Sequence, residues 1–225
     1  MNSVFLLTAS LILTSAASNA NSQIMVNPTK LSKGSTLIEG GLSFADIEYA
    51  HEGSNDVDVD RKIIFAGIST PLSSSVDLMG QFGFIIEAEF EGVQDEGTGW
   101  VLGFGPKFVA SETTDYRIFG NLFLNAIKES YDLNVGELEV AIWDLQASAT
   151  VEFIVSSSTI KPYAGIDLLL KSDGEVAFGS IKSDIEKDDL LNLKFGATLN
   201  LDSVAIRPEA TIFGDQTFTL AFSAR

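Results

Sequence analysis

The feature that most constrains this chain is an apolar pattern with a period of two residues, which recurs from Thr36 onward. The segment Ser75–Glu87 shows it most clearly, because one alternate set of residues is apolar or glycine: Val76, Leu78, Gly80, Phe82, Phe84 and Ile86. Successive side chains point to opposite faces in a β-strand, whereas a helix would repeat every 3.6 residues. The pattern therefore predicts an all-β chain whose strands each carry an apolar face.

The pattern divides the chain into about ten strands separated by turn residues. The predicted spans are 36–50, 61–72, 75–91, 98–110, 115–128, 138–155, 160–171, 189–201, 203–213 and 215–224. Short polar turns at 71–74, 111–114, 156–159 and 202–203 alternate with longer acidic loops at 50–60, 91–97, 129–137 and 172–189. Short turns at one end and long loops at the other are typical of bacterial outer-membrane barrels.

Strand length separates a membrane barrel from a soluble sandwich, since both have alternating strands. Soluble strands usually run about 5 or 6 residues, whereas tilted membrane-spanning strands need about 9 to 11. Aromatic residues near the predicted strand ends, at Tyr49, Trp100, Tyr116 and Trp143, suit girdles at the headgroup level. We predict an antiparallel, transmembrane, up-and-down β-barrel of about ten strands, with eight as the alternative. A soluble secreted sandwich is the competing interpretation.

The N-terminal region is predicted to carry an export signal. Val4–Leu13 is an apolar run of signal-peptide length, and small residues at Ser18 and Ala20 suit cleavage after Ala20. An uncleaved anchor is the alternative, because the first residues contain no Lys or Arg. The predicted organisation is a signal peptide over 1–20, a short periplasmic segment over 21–35 and a barrel over 36–225.

The charge balance excludes one class of partner. The formal net charge is −17, so a nucleic-acid backbone would be repelled. There is no cysteine, which excludes disulfides and thiolate metal sites. Carboxylates at Asp56, Asp58 and Asp60, and at 186–189, make divalent cations at the acidic loops a candidate partner, although no EF-hand pattern is present.

Several segments resemble strands of the small outer-membrane β-barrel superfamily of the OmpA-barrel and OmpX type. Gly67–Leu72 followed by Val76–Phe84 is similar to the second strand, tight turn and third strand of that family, and Trp100–Phe108 and Lys161–Asp167 are similar to other strands. The resemblance covers nearly the whole mature chain. It implies outer-membrane lipid, lipopolysaccharide and the barrel-assembly machinery as partners, with loops extracellular and both termini periplasmic.

The face opposite the apolar one carries charges of both signs in mid-strand. In a membrane barrel this face lines a narrow lumen, where buried charges must be paired. We therefore predict a structural polar network of Asp77, Lys107, Arg117, Lys161, Asp167, Lys194, Arg207 and Glu209, with Lys171 on the same face. At least one arginine–carboxylate pair, involving Arg207 or Arg117, is expected.

Catalytic groups are sparse. His51 is the sole histidine and is flanked by acidic residues, so an Asp/His hydrolase is conceivable, but no motif fixes its geometry. No cofactor, metal or catalytic residue is assigned. The leading hypothesis is a non-enzymatic membrane protein that acts in adhesion, envelope integrity or defence. A narrow channel and a hydrolase that uses His51 are the alternatives.

Overall fold

A computed structural model describes residues 27–32, 34–51, 57–90, 95–133, 136–154, 159–187, 190–213 and 216–224, with the backbone alone at 50, 51 and 57. These residues form eleven strands: β1 Leu37–His51, β2 Val57–Pro71, β3 Val76–Phe90, β4 Gly97–Glu112, β5 Tyr116–Leu133, β6 Gly136–Phe153, β7 Ile160–Phe178, β8 Ile181–Lys187, β9 Leu191–Leu201, β10 Val204–Ile212 and β11 Gln216–Ala224. Within them, no helix is long and apolar enough to cross a membrane.

Ten of the strands close into one antiparallel barrel. Neighbouring strands pair in chain order from β1 to β7, then β7 pairs with β9, and β9, β10 and β11 follow. The pairing of β11 with β1 closes the ring, with Ile38 opposite Ala224 and Asp46 opposite Gln216. The prediction of an all-β antiparallel barrel with about ten strands is confirmed. Turns at 72–75, 113–115 and 202–203 lie at one end of the barrel, at the positions of three of the predicted short turns.

The eleventh strand was not predicted. Residues 172–189 were expected to form an acidic loop, but β7 continues to Phe178, turns at Gly179 with φ near 60° and returns as β8. The predicted loops at 50–60 and 129–137 are also wrong over most of their length. β1 ends at His51 and β2 begins at Val57, while β5 ends at Leu133 and β6 begins at Gly136.

The number of strands around the wall changes along the barrel. At the end with the short turns, β7 pairs with β9 through Ile160–Leu168, and β1 pairs with β11. Farther along, β7 pairs with β8 through Gly174–Phe178, and β8 pairs with β1 through Tyr49–His51. The short-turn end therefore has ten strands, and the other end, here called the extended end, has eight.

The outer surface is divided into two zones. The first is an apolar band whose exposed members include Ile38, Phe44, Ile64, Phe84, Leu102, Leu122, Trp143, Leu168, Phe195, Ile212 and Phe222. Toward the extended end, the outward residues become an acidic belt: Asp46, Glu48, Asp58, Asp60, Glu87, Glu89, Glu96, Asp132, Glu137, Glu139, Asp173, Glu175, Asp184 and Glu186. In the membrane-barrel arrangement, lipid covers the band and water covers the belt.

The interior changes in the opposite sense. Inside the acidic belt lies an apolar layer of packed side chains: Ile47, Tyr49, Val59, Ile63, Ile85, Ala88, Val101, Ile127, Tyr131, Leu138, Val140, Ile142 and Ile185. A bulge in the β2–β3 pairing at Ile86 shifts the alternation of β3, so that Ala88 is buried although Ile86 faces outward. Eight strands enclose just enough room for side chains to fill. The extended end is thus built like a water-soluble barrel.

Candidate functional site in the barrel lumen

Inside the apolar band the lumen is lined by polar and charged side chains. Of the eight predicted network residues, Asp77, Lys107, Asp167, Lys194, Arg207 and Glu209 are buried on the inward face, and Arg117 and Lys161 are half-buried near the short turns. Lysine and carboxylate groups this far from water are tolerated only when they are paired. The partners of each charge therefore decide what the lumen can do.

At the short-turn end, Lys107 is held by three oxygen atoms. Its ammonium group lies 3.0 Å from Asp77 Oδ2 and donates to the main-chain carbonyls of Asn27 and Thr29 at 3.0 and 2.6 Å. The side chain of Lys107 is fully buried. Residues from the segment expected to be periplasmic thus lie inside the mouth of the barrel.

Two arginines complete this end of the lumen. Arg207 Nη2 donates to Glu39 Oε2 at 2.6 Å, and Arg117 Nη1 donates to Glu152 Oε2 at 2.9 Å. Arg117 also pairs with Glu112. The pKa of the Glu112 carboxyl is lowered, first by the hydrogen bond from Lys30 and next by the hydrogen bond from Arg117. Both predicted arginines are therefore in carboxylate pairs.

The middle of the lumen is rich in amides. Lys194 Nζ lies 2.6 Å from Asp167 Oδ1, and the side chains of Tyr163 and Glu209 share a hydrogen bond. Gln81 donates to Asn125 Oδ1 at 3.3 Å, while Asn125 Nδ2 and Asn192 Oδ1 have no hydrogen-bond partner among the described residues. Buried amide atoms of this kind are commonly satisfied by ordered water.

Two further charge pairs lie next to the apolar layer and were missed from the sequence. Arg61 makes a two-point ion pair with Glu129 and donates to Tyr49 Oη at 2.8 Å, and all of Arg61 and Glu129 is buried. Lys187 of β8 pairs with Asp144 Oδ2 at 3.0 Å, also with both side chains fully buried. Glu129 and Lys187 lie in the predicted loops at 129–137 and 172–189, so the sequence pattern does not assign them to the inward face.

Two corrections concern other inward and outward assignments. Tyr49 was expected in an aromatic girdle but is 1% exposed inside the barrel, since β1 continues beyond the apolar band. Trp100, Tyr116 and Trp143 do lie on the outer face. Lys171 was expected in the lumen but faces outward, 4.4 Å above the Trp143 ring, because Leu170 is an extra residue in the β6–β7 pairing.

The acidic belt contains the candidate cation ligands. Asp46 and Asp60 stand directly opposite each other, and Asp60 is also opposite Glu89. Partial burial, followed by the like charges of Glu89 and Asp58, raises the pKa of Asp60 above its ordinary value. Carboxylate oxygens of Glu87, Glu89 and Glu96 lie within 4.8 Å of one another, although Glu87 also pairs with Lys62. Asp56, Asp188 and Asp189 lie outside the described residues, as does the side chain of His51.

Comparisons with known proteins identify the fold. No family model and no curated protein matches the chain. The outer-membrane protease OmpT from Escherichia coli has a similar structure, with a TM-score of 0.51 and 8% identity over 90% of this chain and 97% of that one. An outer-membrane channel from Pseudomonas putida gives 0.48 and 11% over 90% and 99%, and Neisserial surface protein A gives 0.43 and 8% over 84% and 96%.

OmpT is a protease, and a likeness at 8% identity identifies an architecture and leaves the activity of this chain open. That architecture agrees with the apolar band on the outside of the barrel and the paired charges within it. The chain has the fold of the small outer-membrane β-barrels of Gram-negative bacteria.

Proposed function

We propose that this protein is a closed, non-enzymatic outer-membrane barrel that acts through the acidic surface it holds above the membrane, in adhesion, envelope integrity or defence. In this proposal the short turns and both termini are periplasmic, and the extended end is extracellular. The observation that carries the proposal is the reversal of polarity along the barrel. An apolar band with a polar interior gives way to an acidic belt with an apolar interior.

Closure is supported by the packing at the extended end. A conducting pore needs a continuous path of water, and the apolar layer lies across that path with Ile47, Val59, Val101 and Val140 each 0% exposed. Farther down, the buried cations Lys107, Lys194 and Arg207 are each paired with a carboxylate. These features weigh against the alternative of a narrow channel, in which lumen charges would be separately hydrated.

A surface role is supported by the electrostatic repulsion between the carboxylates of the belt, which destabilises the folded barrel. Carboxylates placed directly opposite each other across neighbouring strands repel, as Asp46 and Asp60 do. The outward lysines nearest the apolar band are each in an ion pair with a nearby acid: Lys62, Lys128 and Lys171. The belt therefore suits a cationic partner surface, or divalent cations that bridge it to lipopolysaccharide phosphates.

The test is neutralisation of the belt in intact cells. A variant with Asp58→Asn, Asp60→Asn and Glu89→Gln should bind a polylysine-coated surface less strongly than cells with the unmodified barrel, at equal amounts of folded protein. Lys62→Gln is the matched control from the same patch, and it should bind as well or better. Equal adhesion of the neutralised and unmodified barrels would remove the support for an acidic docking surface.

The second candidate, a hydrolase that uses His51, rests on the position of this residue. The backbone of His51 lies at the end of β1, opposite Ile185 of β8, and Asp58 and Asp60 face outward from β2. Peptide or ester hydrolysis that is lost in His51→Ala, with the barrel still folded, would establish this function over the one proposed.

A further inference from the structure

Residues Asn27–Leu31, here called the stopper segment, precede β1 and lie in the mouth of the lumen at the short-turn end. Asn27, Pro28, Thr29 and Leu31 are buried, and Lys30 is half-buried. Three polar residues of the barrel contact the segment: Glu39 of β1, and Lys107 and Glu112 of β4. Asp77 of β3 pairs with Lys107, and Arg117 of β5 pairs with Glu112.

The contacts are of the kind that recognise an extended main chain. Lys107 donates to two carbonyls of the segment, two residues apart, which requires no particular side chain at those positions. Asn27 adds a side-chain contact, since its Nδ2 donates to Glu39 Oε2 at 3.1 Å while its Oδ1 accepts from the main-chain N–H of Thr29 at 2.8 Å. Lys30 forms an ion pair with Glu112 at the rim.

The barrel groups would be poorly satisfied without the segment. Among the described residues, Lys107 would keep Asp77 as its one oxygen partner, and a buried ammonium group has three hydrogens to place. Glu39 would keep Arg207 and lose the amide of Asn27. Leaving buried donors and acceptors unmade is costly, so these groups favour an occupied mouth.

We infer that the short-turn mouth of the lumen is a binding site for an extended peptide, that the chain's own residues 27–31 occupy it in cis, and that Lys107 is the residue that latches them. The site closes the polar lumen at the short-turn end, independently of the apolar layer at the other end. This inference does not rest on the proposed surface function.

The test uses the absence of cysteine in the natural sequence. In the full chain, Thr29→Cys introduces one thiol in the stopper segment and keeps the carbonyl that Lys107 binds. Its reaction with a membrane-impermeant maleimide should be at least about 100-fold slower than that of Ser73→Cys in the exposed turn, because the hydrogen bonds to Lys107 and Glu39 must break before the thiol is accessible. Equal rates would overturn the inference.

The role of Lys107 is tested with a matched pair of variants. Lys107→Met with Asp77→Asn should speed labelling of Thr29→Cys by about tenfold or more, since the two hydrogen bonds to main-chain carbonyls are lost. Lys194→Met with Asp167→Asn removes a buried pair of similar geometry that does not touch the segment, and labelling should stay slow. The same rate in both backgrounds would exclude Lys107 as the latch.

Two further measurements keep the test decisive if the Lys107 variant fails to fold. Asn27→Ala changes only the segment and should also speed labelling, because the bond to Glu39 is lost. In a chain that lacks residues 27–31, a thiol at Ser69→Cys, inside the mouth, should label quickly and be protected by a synthetic peptide of the sequence Asn27–Leu31. Failure of that peptide to protect, up to its solubility limit, would contradict a peptide-binding site.

Discussion

Replacement of Arg61 probes the charge pair that lies next to the apolar layer. Arg61 and Glu129 are both 0% exposed and joined by two hydrogen bonds, and Tyr49 adds a third. Arg61→Met keeps much of the side-chain volume but leaves Glu129 buried with no cation. Removing one partner of a buried pair costs about 3 to 5 kcal/mol, so the free energy of unfolding should fall by that amount.

The companion variants separate the charge from the packing. Glu129→Gln in the Arg61→Met background removes the stranded charge, so the double variant should recover much of the loss and show strong coupling between the two sites. Lys128→Met is the exposed control, at the residue beside Glu129. Lys128 forms an ion pair with Glu139 in which the side chains are 43% and 46% exposed, so its replacement should change the free energy of unfolding by no more than about 1 kcal/mol. The assay is urea unfolding of the barrel in lipid vesicles. An Arg61→Met effect no larger than that of Lys128→Met would refute the buried-pair reasoning.

Three other perturbations test the zones of the barrel. Phe82→Arg should lower the free energy of unfolding by about 2 to 4 kcal/mol, whereas Glu89→Arg, on the same face of β3 but in the acidic belt, should be nearly neutral; similar losses would misplace the boundary of the band. Arg207→Ala should destabilise the barrel by about 3 to 5 kcal/mol because Glu39 loses its cationic partner, while Asp58→Ala, on the outer face, should change stability little; equal effects would favour separately hydrated lumen charges. Trp100 and Trp143, the chain's two tryptophans, should both be quenched by lipids brominated near the headgroup, and protection of either would contradict its outward position.

The part of the fold that lies within the apolar band could be predicted from the sequence. There the outward face is apolar and the inward face is charged, so residue parity alone assigns Phe82 outward and Asp77 inward. The predicted lumen residues come from strands with this regular alternation. Their partners Glu39 and Glu152 were missed because parity identifies a face and not which side chains meet across the lumen.

The extended end could not be predicted because its polarity is reversed. In Val57–Asp60 the apolar residues have the opposite parity to those of Ile64–Ile68, and outward acids such as Asp58 resemble those of a solvated loop. A search for one continuous apolar face therefore ends each strand at the edge of the band. Single inserted residues add to the difficulty, since Leu170 changes the face of Lys171 without any signal in composition.

The central claim is that the barrel is closed by the apolar layer, and single-channel recording tests it most directly. Purified, refolded protein inserted into planar lipid bilayers should give no stable unitary conductance, with folded insertion verified in the same preparation. The chain that lacks residues 27–31 should also stay silent, because the apolar layer remains. Reproducible unitary currents from the unmodified barrel would contradict the account and favour a narrow channel.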